Sequence, residues 1–412
     1  MKIGIIGAGI SGLTCAHFLD PLHEVTLFEK NDYLGGHANT VCVNFLEKKY
    51  LMDTGFLVYN EPAYPGFTKF LSHLQVKTIP SEMSFSVREI SRDFEYNGHD
   101  LRSLFSQKRN LFNPRFYSML IDVLRFNKKM KSLIKTDSSL TLDEFLVKEK
   151  FGTYFIEYYL RPMIASIWSM NPSEVLGFPA LFLGRFFNNH GLLNINDRPQ
   201  WRTIEGGSRE YVNAIMKNFS GKLIQKGVVK MTYDGSHYHV FDEEGGSRSF
   251  DIIVIATHSD EAMHIYPTMP IGLADALKKI PYQLNKVILH TDESLMPKRK
   301  RSWASWNYLI TEKHSNPTLT YYLNRLQSIH SENCSFFISL NQSQYIDPTK
   351  ILNQFDYAHP VFNQDTLVSQ EIIHQLNGTQ NLYFCGAYLG NGFHEDGFQS
   401  GLEVCKKLGV SI

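Results

Sequence analysis

Two hydrophobic patterns alternate along the chain. At the start the apolar run Lys2-Ile-Gly-Ile-Ile6 meets Gly7-Ala-Gly-Ile-Ser-Gly12. An apolar stretch from Leu13 to Leu19 follows, then a second run, Val25-Thr-Leu-Phe-Glu29. Short apolar runs bounded by glycine predict strands, so this segment reads as strand, turn, helix, strand. Asp251-Ile-Ile-Val-Ile-Ala256 is fully apolar, as a strand buried on both faces of a parallel sheet requires. From about Tyr64 to Gln200 the pattern changes to long helical segments. Phe116, Leu120, Val123, Leu124 and Met130 are predicted to share one helical face there. Val228–Tyr233 and Tyr238–Phe241 read as strands around Asp234-Gly235, and Val287–His290 and Thr318–Leu323 as strands of a second sheet. Asn381-Leu-Tyr-Phe-Cys-Gly-Ala387 predicts a last strand. It runs into Gly390, Gly392, Gly397 and Gly401, and then a helix of about ten residues.

The first turn carries chemistry. Gly7 permits a tight turn, Gly9 lets backbone approach a pyrophosphate, and Gly12 lets helix and strand pack closely. The helix N-terminus at Ile10 and Ser11 attracts anions through unpaired N–H groups and its dipole. Glu29, followed by Lys30, ends the second strand, where a carboxylate accepts ribose hydroxyls and repels a 2′-phosphate. Just beyond, Leu34-Gly35-Gly36-His37 offers a second backbone stretch for the pyrophosphate, which favours FAD over NAD. Asp53-Thr54-Gly55-Phe56 closes a short strand, and Gly55 allows backbone to lie against a flat ring; an ordinary Asp-Thr-Gly turn is the competing reading. The glycines of the last segment are expected to serve close approach to the same ligand. There is no second GxGxxG, so a separate NAD(P)H site is not expected.

Composition narrows the class. A chain of 412 residues exceeds one ordinary core and suggests two domains. Lys plus Arg equals Asp plus Glu at 41 each, which leaves no global field for nucleic acid. Charge is nevertheless uneven, for Leu101 to Lys135 holds nine basic residues against Asp122 alone, and Lys298-Arg-Lys-Arg301 is a second basic cluster. Two readings stand for the first: a solvated helix face, or peripheral contact with anionic lipid. Five scattered cysteines without CxxC spacing predict neither a disulfide framework nor a zinc site, and no metal constellation is expected from the histidines. No run is long enough to span a bilayer, and the glycines of the first strand are unlike a secretory leader. A cytoplasmic location is expected, with membrane association left open and oligomeric state undetermined. The aromatic stretches Phe151–Met170 and Gly177–Phe187 either form a core or line an apolar tunnel.

On Gly7-Ala-Gly-Ile-Ser-Gly12, Glu29, Leu34-Gly-Gly36, Ile253-Val-Ile-Ala256 and Phe384-Cys-Gly386 leading to Gly397-Phe-Gln-Ser-Gly401, the chain resembles the FAD-dependent amine oxidase, protoporphyrinogen oxidase and phytoene desaturase superfamily. More narrowly it is similar to bacterial predicted NAD/FAD-binding proteins associated with enzymes that modify fatty acyl chains. That second likeness rests on Asp53-Thr-Gly-Phe-Leu-Val-Tyr-Asn60, Arg198 to Tyr211, Trp303-Ala-Ser-Trp-Asn307, Phe355-Asp-Tyr-Ala-His-Pro360 and Gly392-Phe-His-Glu-Asp-Gly397. The resemblance implies an α/β, doubly wound, glutathione-reductase-like FAD domain from residues 1–63, 200–270 and 376–412. A discontinuous α+β substrate domain would come from 64–199 and 271–375. It further implies adenine on the backbone near Val229, pyrophosphate and ribityl groups at Gly386, Ala387 and Gly397, and Phe398-Gln399 at the flavin edge. Many relatives have Arg where this chain has His37, and no tyrosine partner for Phe398 completes an amine cage.

Hydride transfer to flavin also requires loss of a proton, for which His, Asp or Glu can serve as base. His394-Glu395-Asp396, set between glycines near the expected flavin, are the first candidates; hydrogen bonding to ribityl hydroxyls is the alternative for the two acids. His359 and Arg209 are weaker candidates, and Trp303, Trp306 and Asn307 are expected to face the ring. The expected activity is FAD-dependent oxidation or desaturation of a small-molecule or lipid substrate, with amine oxidation and non-catalytic flavin binding as alternatives.

Overall fold

The computed structural model describes residues 1–311, 317–331 and 334–410, so parts of the expected 271–375 and 376–412 segments lie outside the described residues. Its first element is a five-stranded parallel sheet of β1 (Lys2–Ile6), β2 (Glu24–Phe28), β3 (Lys222–Ile224), β4 (Ile252–Ile255) and β5 (Leu382–Phe384), ordered β3-β2-β1-β4-β5. Alternation along each strand supplies both faces. Ile3, Ile5, Val25, Leu27, Ile252 and Val254 point into one core, and Ile6, Phe28, Ile253, Ile255 and Phe384 into another.

Helix α1 (Ile10–Leu19) covers the first face, and α4 (His394–Lys407) lies on α1. The fit is set by glycine: a Cβ on Gly401 would stand 2.6 Å from the Ser11 carbonyl oxygen, and one on Gly397 2.7 Å from an Ile10 methyl. The antiparallel sheet Val228–Tyr233, Tyr238–Asp242 and Ser247–Phe250 covers the other face.

A second body is built on a seven-stranded mixed sheet. Its strands run in the order Ile351–Pro360, Tyr282–His290, Phe337–Leu340, Leu319–Tyr322, Trp306–Ile310, Phe85–Glu89 and Phe94–Asn97. The region 64–200 is thus less purely helical than its sequence suggests, since Thr78–Ser81, Phe85–Glu89 and Phe94–Asn97 are all strands. Between them α2 (Pro65–His73) packs toward α4, and α3 (Pro114–Leu133) borders the largest core. The buried face of α3 is Phe116, Met119, Phe126 and Met130, while Leu124 is exposed. The predicted apolar face was therefore rotated: the buried stripe runs through 119 and 126 rather than 124.

Candidate dinucleotide and substrate cavity

One cavity of about 830 Å³ runs from the β1 turn into the second body. At its first end two glycine stretches meet backbone to backbone. The Gly35 amide donates to the Ala8 carbonyl at 2.9 Å, and a Cβ on Gly36 would stand 3.3 Å from the Gly9 α-carbon. A Cβ on Gly9 would meet nothing within 4 Å, so its open side faces the cavity that Gly9, Ile10 and Ser11 line. No side chain caps α1, leaving its first N–H groups and positive dipole end to an anion.

Glu29 is buried on the same wall. Its Oε2 accepts from the Ala8 amide at 2.8 Å and its Oε1 from the Asn31 amide and side chain, both at 2.9 Å. A carboxylate has about four acceptor positions, so ribose hydroxyls still have room. Lys30 also lines this end and is ion-paired with Glu261. The glycine cradle, the uncapped helix and the buried carboxylate together fit a dinucleotide bound through its pyrophosphate and ribose.

Gly35, Gly36, His37, Gly55, Phe56, Gly386 and Ala387 line the middle of the cavity. The His37 ring lies 4.9 Å from Tyr357, 5.2 Å from His359 and 6.2 Å from His258. Burial, reinforced by neighbouring imidazoles, holds His37 well below the usual histidine range, and burial brings His359 to about 4. Neither carries charge at neutral pH. Among the described residues His37 Nε2 has no hydrogen-bond partner, and the same holds for His190 Nε2 and Trp306 Nε1 on the cavity wall. Unpaired buried polar atoms are costly, so a ligand that completed them would bind there favourably.

The far end is walled by aromatic and aliphatic groups, among them Tyr64, Tyr159, Trp168, Phe186, Trp306, Tyr321 and Phe393. Tyr159 sits on a π-helical turn, Ile156–Leu160, just ahead of Pro162, which has no N–H to continue a regular ladder. The aromatic stretches between 151 and 187 therefore do both things considered for them. Phe155, Phe178 and Phe187 are core, and Tyr159, Trp168 and Phe186 line the cavity.

Of the three proposed catalytic residues, the structure brings only His394 to the cavity. Its ring stacks on Phe56 at 3.8 Å, and its Nε2 is 2.8 Å from the Tyr211 hydroxyl. Burial lowers its pKa to about 3, so it is a neutral, pinned imidazole. Glu395 points the other way. Its oxygens accept from the Gly66 and Phe67 amides at 2.9 and 2.8 Å, capping α2. Asp396 caps its own helix through the Phe393 amide at 2.9 Å, and burial raises its carboxyl to about 6.

Several cofactor candidates also fall elsewhere. Phe398 packs in the core, 5.0 Å from the ring of Phe70, and Gln399 donates to Glu395 at 2.7 Å, so neither lies on the cavity wall. Gly397 serves the α1–α4 crossing, and Gly12 brings α1 against the Gly7 carbonyl. Thr54 acts one step removed, its hydroxyl 2.6 Å from that of Tyr357. At the expected adenine position Lys226, Gly227 and Val228 line the cavity. Val229 is exposed, because the strand register shifts between Val228 and Lys230. Trp306 lines the cavity, whereas Trp303 and Asn307 are committed to internal hydrogen bonds with the Pro297 carbonyl and Ser86. His359 is on the wall and Arg209 is not. Sequence reasoning gave no role to His258, which lies on the cavity wall, or to the Tyr211 hydroxyl, which meets His394; distant elements bring both in.

The family model for flavin-containing amine oxidoreductases matches residues 10–332. An uncharacterized protein of Methanocaldococcus jannaschii is 23% identical over 267 residues, covering 62% of this chain and 58% of that protein; the chain thus spans little more than half of that relative's length. Among solved structures, a protein from Exiguobacterium sp. 255-15 provisionally named a protoporphyrinogen oxidase superposes with a TM-score of 0.71 at 11% identity, over 99% of this chain and 98% of that one. A CLA-producing fatty acid isomerase from P. acnes gives 0.68 at 14% identity, again over 99% and 98%. Cyclohexylamine oxidase from Brevibacterium oxydans gives 0.68 at 15% identity, over 99% of both chains.

Proposed function

The chain belongs to the flavin-containing amine oxidoreductase family and is an FAD-dependent oxidoreductase, and from that premise we propose that it dehydrogenates a fatty acyl or related lipid chain. The character of the cavity beyond its nucleotide end carries the reading. Among the described residues its only carboxylates are Glu29, Glu261 and Asp356. Glu29 is engaged by Ala8 and Asn31, Glu261 by Lys30, and Asp356 is exposed on the rim. Beyond the nucleotide end an ammonium substrate would find no buried counter-charge, while each acyl methylene moved from water into these walls gains about 0.8 kcal/mol. That one protein of this fold is a fatty acid isomerase is consistent with acyl chains entering such a cavity.

When bound, FAD supplies the hydride acceptor. The acyl chain would lose a hydride from one carbon and a proton from its neighbour to solvent, leaving a double bond, and the flavin held there would supply the two-electron acceptor. The protein's part is to hold the nucleotide at Gly9, Gly36 and Glu29, to exclude water with the aromatic walls, and to fix the neutral His394 between Phe56 and Tyr211.

Amine oxidation is the second reading, since aromatic walls also attract cations and cyclohexylamine oxidase shares the fold. Anaerobic titration of the flavin-loaded protein separates the two. Bleaching by acyl lipids but not by simple amines is expected; bleaching by amines alone, or by neither, overturns the acyl reading, and the second outcome would favour a flavin-binding protein without turnover.

A further inference from the structure

We propose that the surface formed by residues 101–124 together with the basic turn at 300–301 docks the protein onto an anionic phospholipid bilayer. The inference stands apart from the substrate reading, because it rests on the outer surface alone. Large apolar side chains face solvent here: Phe112 is 87% exposed, Leu101 74%, Ile121 57% and Leu124 51%, with Leu111 and Tyr117 beside them.

They form one patch by construction. Tyr117, Ile121 and Leu124 fall on a single stripe of α3, at spacings of four and three. The Tyr117 hydroxyl donates to the Leu111 carbonyl at 3.0 Å, which ties the preceding turn to that stripe. Clustered exposed apolar groups of this kind mark an interaction surface.

The charge around the patch selects the partner. Residues 101–135 carry nine basic side chains and one acid in a chain of zero net charge. Folding neutralises only part of this excess. Arg109 pairs with Asp93, Arg125 with Asp122 and Lys129 with Glu149. Arg102, Lys108, Arg115, Lys128 and Lys135 are in no ion pair among the described residues. Folding also brings basic side chains from far along the chain, of which Lys300 is paired with Glu293 and Arg301 is in no ion pair among the described residues. The Ser106 and Ser302 hydroxyls are 2.6 Å apart, so Lys300 and Arg301 sit beside the 101–106 segment.

Exposed apolar side chains ringed by Lys and Arg are what an anionic headgroup layer receives. A second copy of the same face is disfavoured, because a two-fold contact would oppose like charge. No helix among the described residues is long and apolar enough to cross a membrane, so the contact is superficial. Its position has a use: Gly98 and His99 line the cavity, and Asp100 caps the helix that begins at Leu101, so the patch adjoins the cavity wall.

Flotation of the flavin-loaded, substrate-free protein tests this directly, using neutral phosphatidylcholine vesicles and vesicles containing phosphatidylglycerol. Selective flotation with the anionic vesicles is expected. F112D/I121D and, separately, K128E/R301E should each reduce it by about tenfold or more while thermal melting and flavin absorbance stay unchanged. Equal failure on both vesicles, equal binding to both, or variants that bind like the parent would overturn the proposal. So would a concentration-dependent dimer that F112D/I121D dissolves, which would assign the face to a second copy. Because no substrate is present, none of these outcomes depends on which substrate the cavity takes.

Discussion

Replacing Glu395 separates a structural from a catalytic role. Helix α2 begins at Pro65, and its Tyr64 N-cap provides no side-chain acceptor. The Gly66 and Phe67 amides instead donate to the two oxygens of Glu395, a residue far away in sequence. A hydrogen bond to a charged group contributes about 1.5–3 kcal/mol, and a carboxylate at a helix N-terminus adds a few tenths more. The site is half-buried, so water recovers part of any loss. We therefore expect Glu395→Gln, which keeps one acceptor but turns an NH2 toward the other amide, to cost about 2 kcal/mol, and Glu395→Ala about 3 kcal/mol. Denaturant midpoints followed by far-UV circular dichroism would read this. Single-turnover flavin reduction in the Gln variant should stay within a few-fold of the parent, because the carboxylate does not reach the cavity wall. An unchanged midpoint with reduction abolished would refute the assignment and restore Glu395 as a candidate base.

Other expectations follow from the same geometry. Glu29→Ala leaves the Ala8 amide unpaired and removes the proposed ribose acceptor, so FAD affinity should fall about tenfold to a hundredfold, measured by flavin fluorescence on dilution. Gly401→Ala drives a methyl toward the Ser11 carbonyl; a loss of about 1–3 kcal/mol in stability is expected, with faster flavin release because Ser11 lines the cavity. His190 has its pKa lowered by burial from 6.5 to about 4, so below pH 6.5 the unfolded chain binds the proton first. Stability falls as pH drops through that window, by about 2 kcal/mol at pH 5 from this group alone. His190→Phe should therefore gain about 2 kcal/mol on the parent between pH 7.5 and pH 5 in paired urea melts, and parallel curves would show that His190 takes up its proton in the folded state.

The strand-turn-helix geometry of the glycine-rich end was legible because its signals are local. Glycine spacing, an apolar strand on either side and an acid at the strand end all lie within residues 2–37. Of the terminal glycines, Gly386 and Gly392 do line the cavity, but Gly397 and Gly401, expected in a ligand loop, stand four apart on α4 and serve close helix packing. Glu395 and Asp396 follow the start of that helix, where carboxylates commonly cap, and one caps a neighbour instead of its own turn. The Val229 displacement is a one-residue irregularity that no composition reveals. Leu124 shows the other limit: periodicity finds an apolar stripe but does not say whether protein covers it. His258 is brought to the cavity wall and Tyr211 against His394 by tertiary folding, which leaves no local trace.

The saddle of α4 on α1, and of β5 beside β4, carries a consequence for the order of events during synthesis. The first strand and its glycine turn emerge early, but Gly386 and the helix that clamps Ser11 are about 380 residues behind them. At roughly 5–20 residues per second the ribosome takes about 20–80 s to supply the missing half. Throughout that interval the nascent turn has no lid, so stable capture of FAD waits until the helix His394–Lys407 has emerged and packed on α1, and a ribosome stalled before residue 386 should hold a polypeptide that does not retain the flavin.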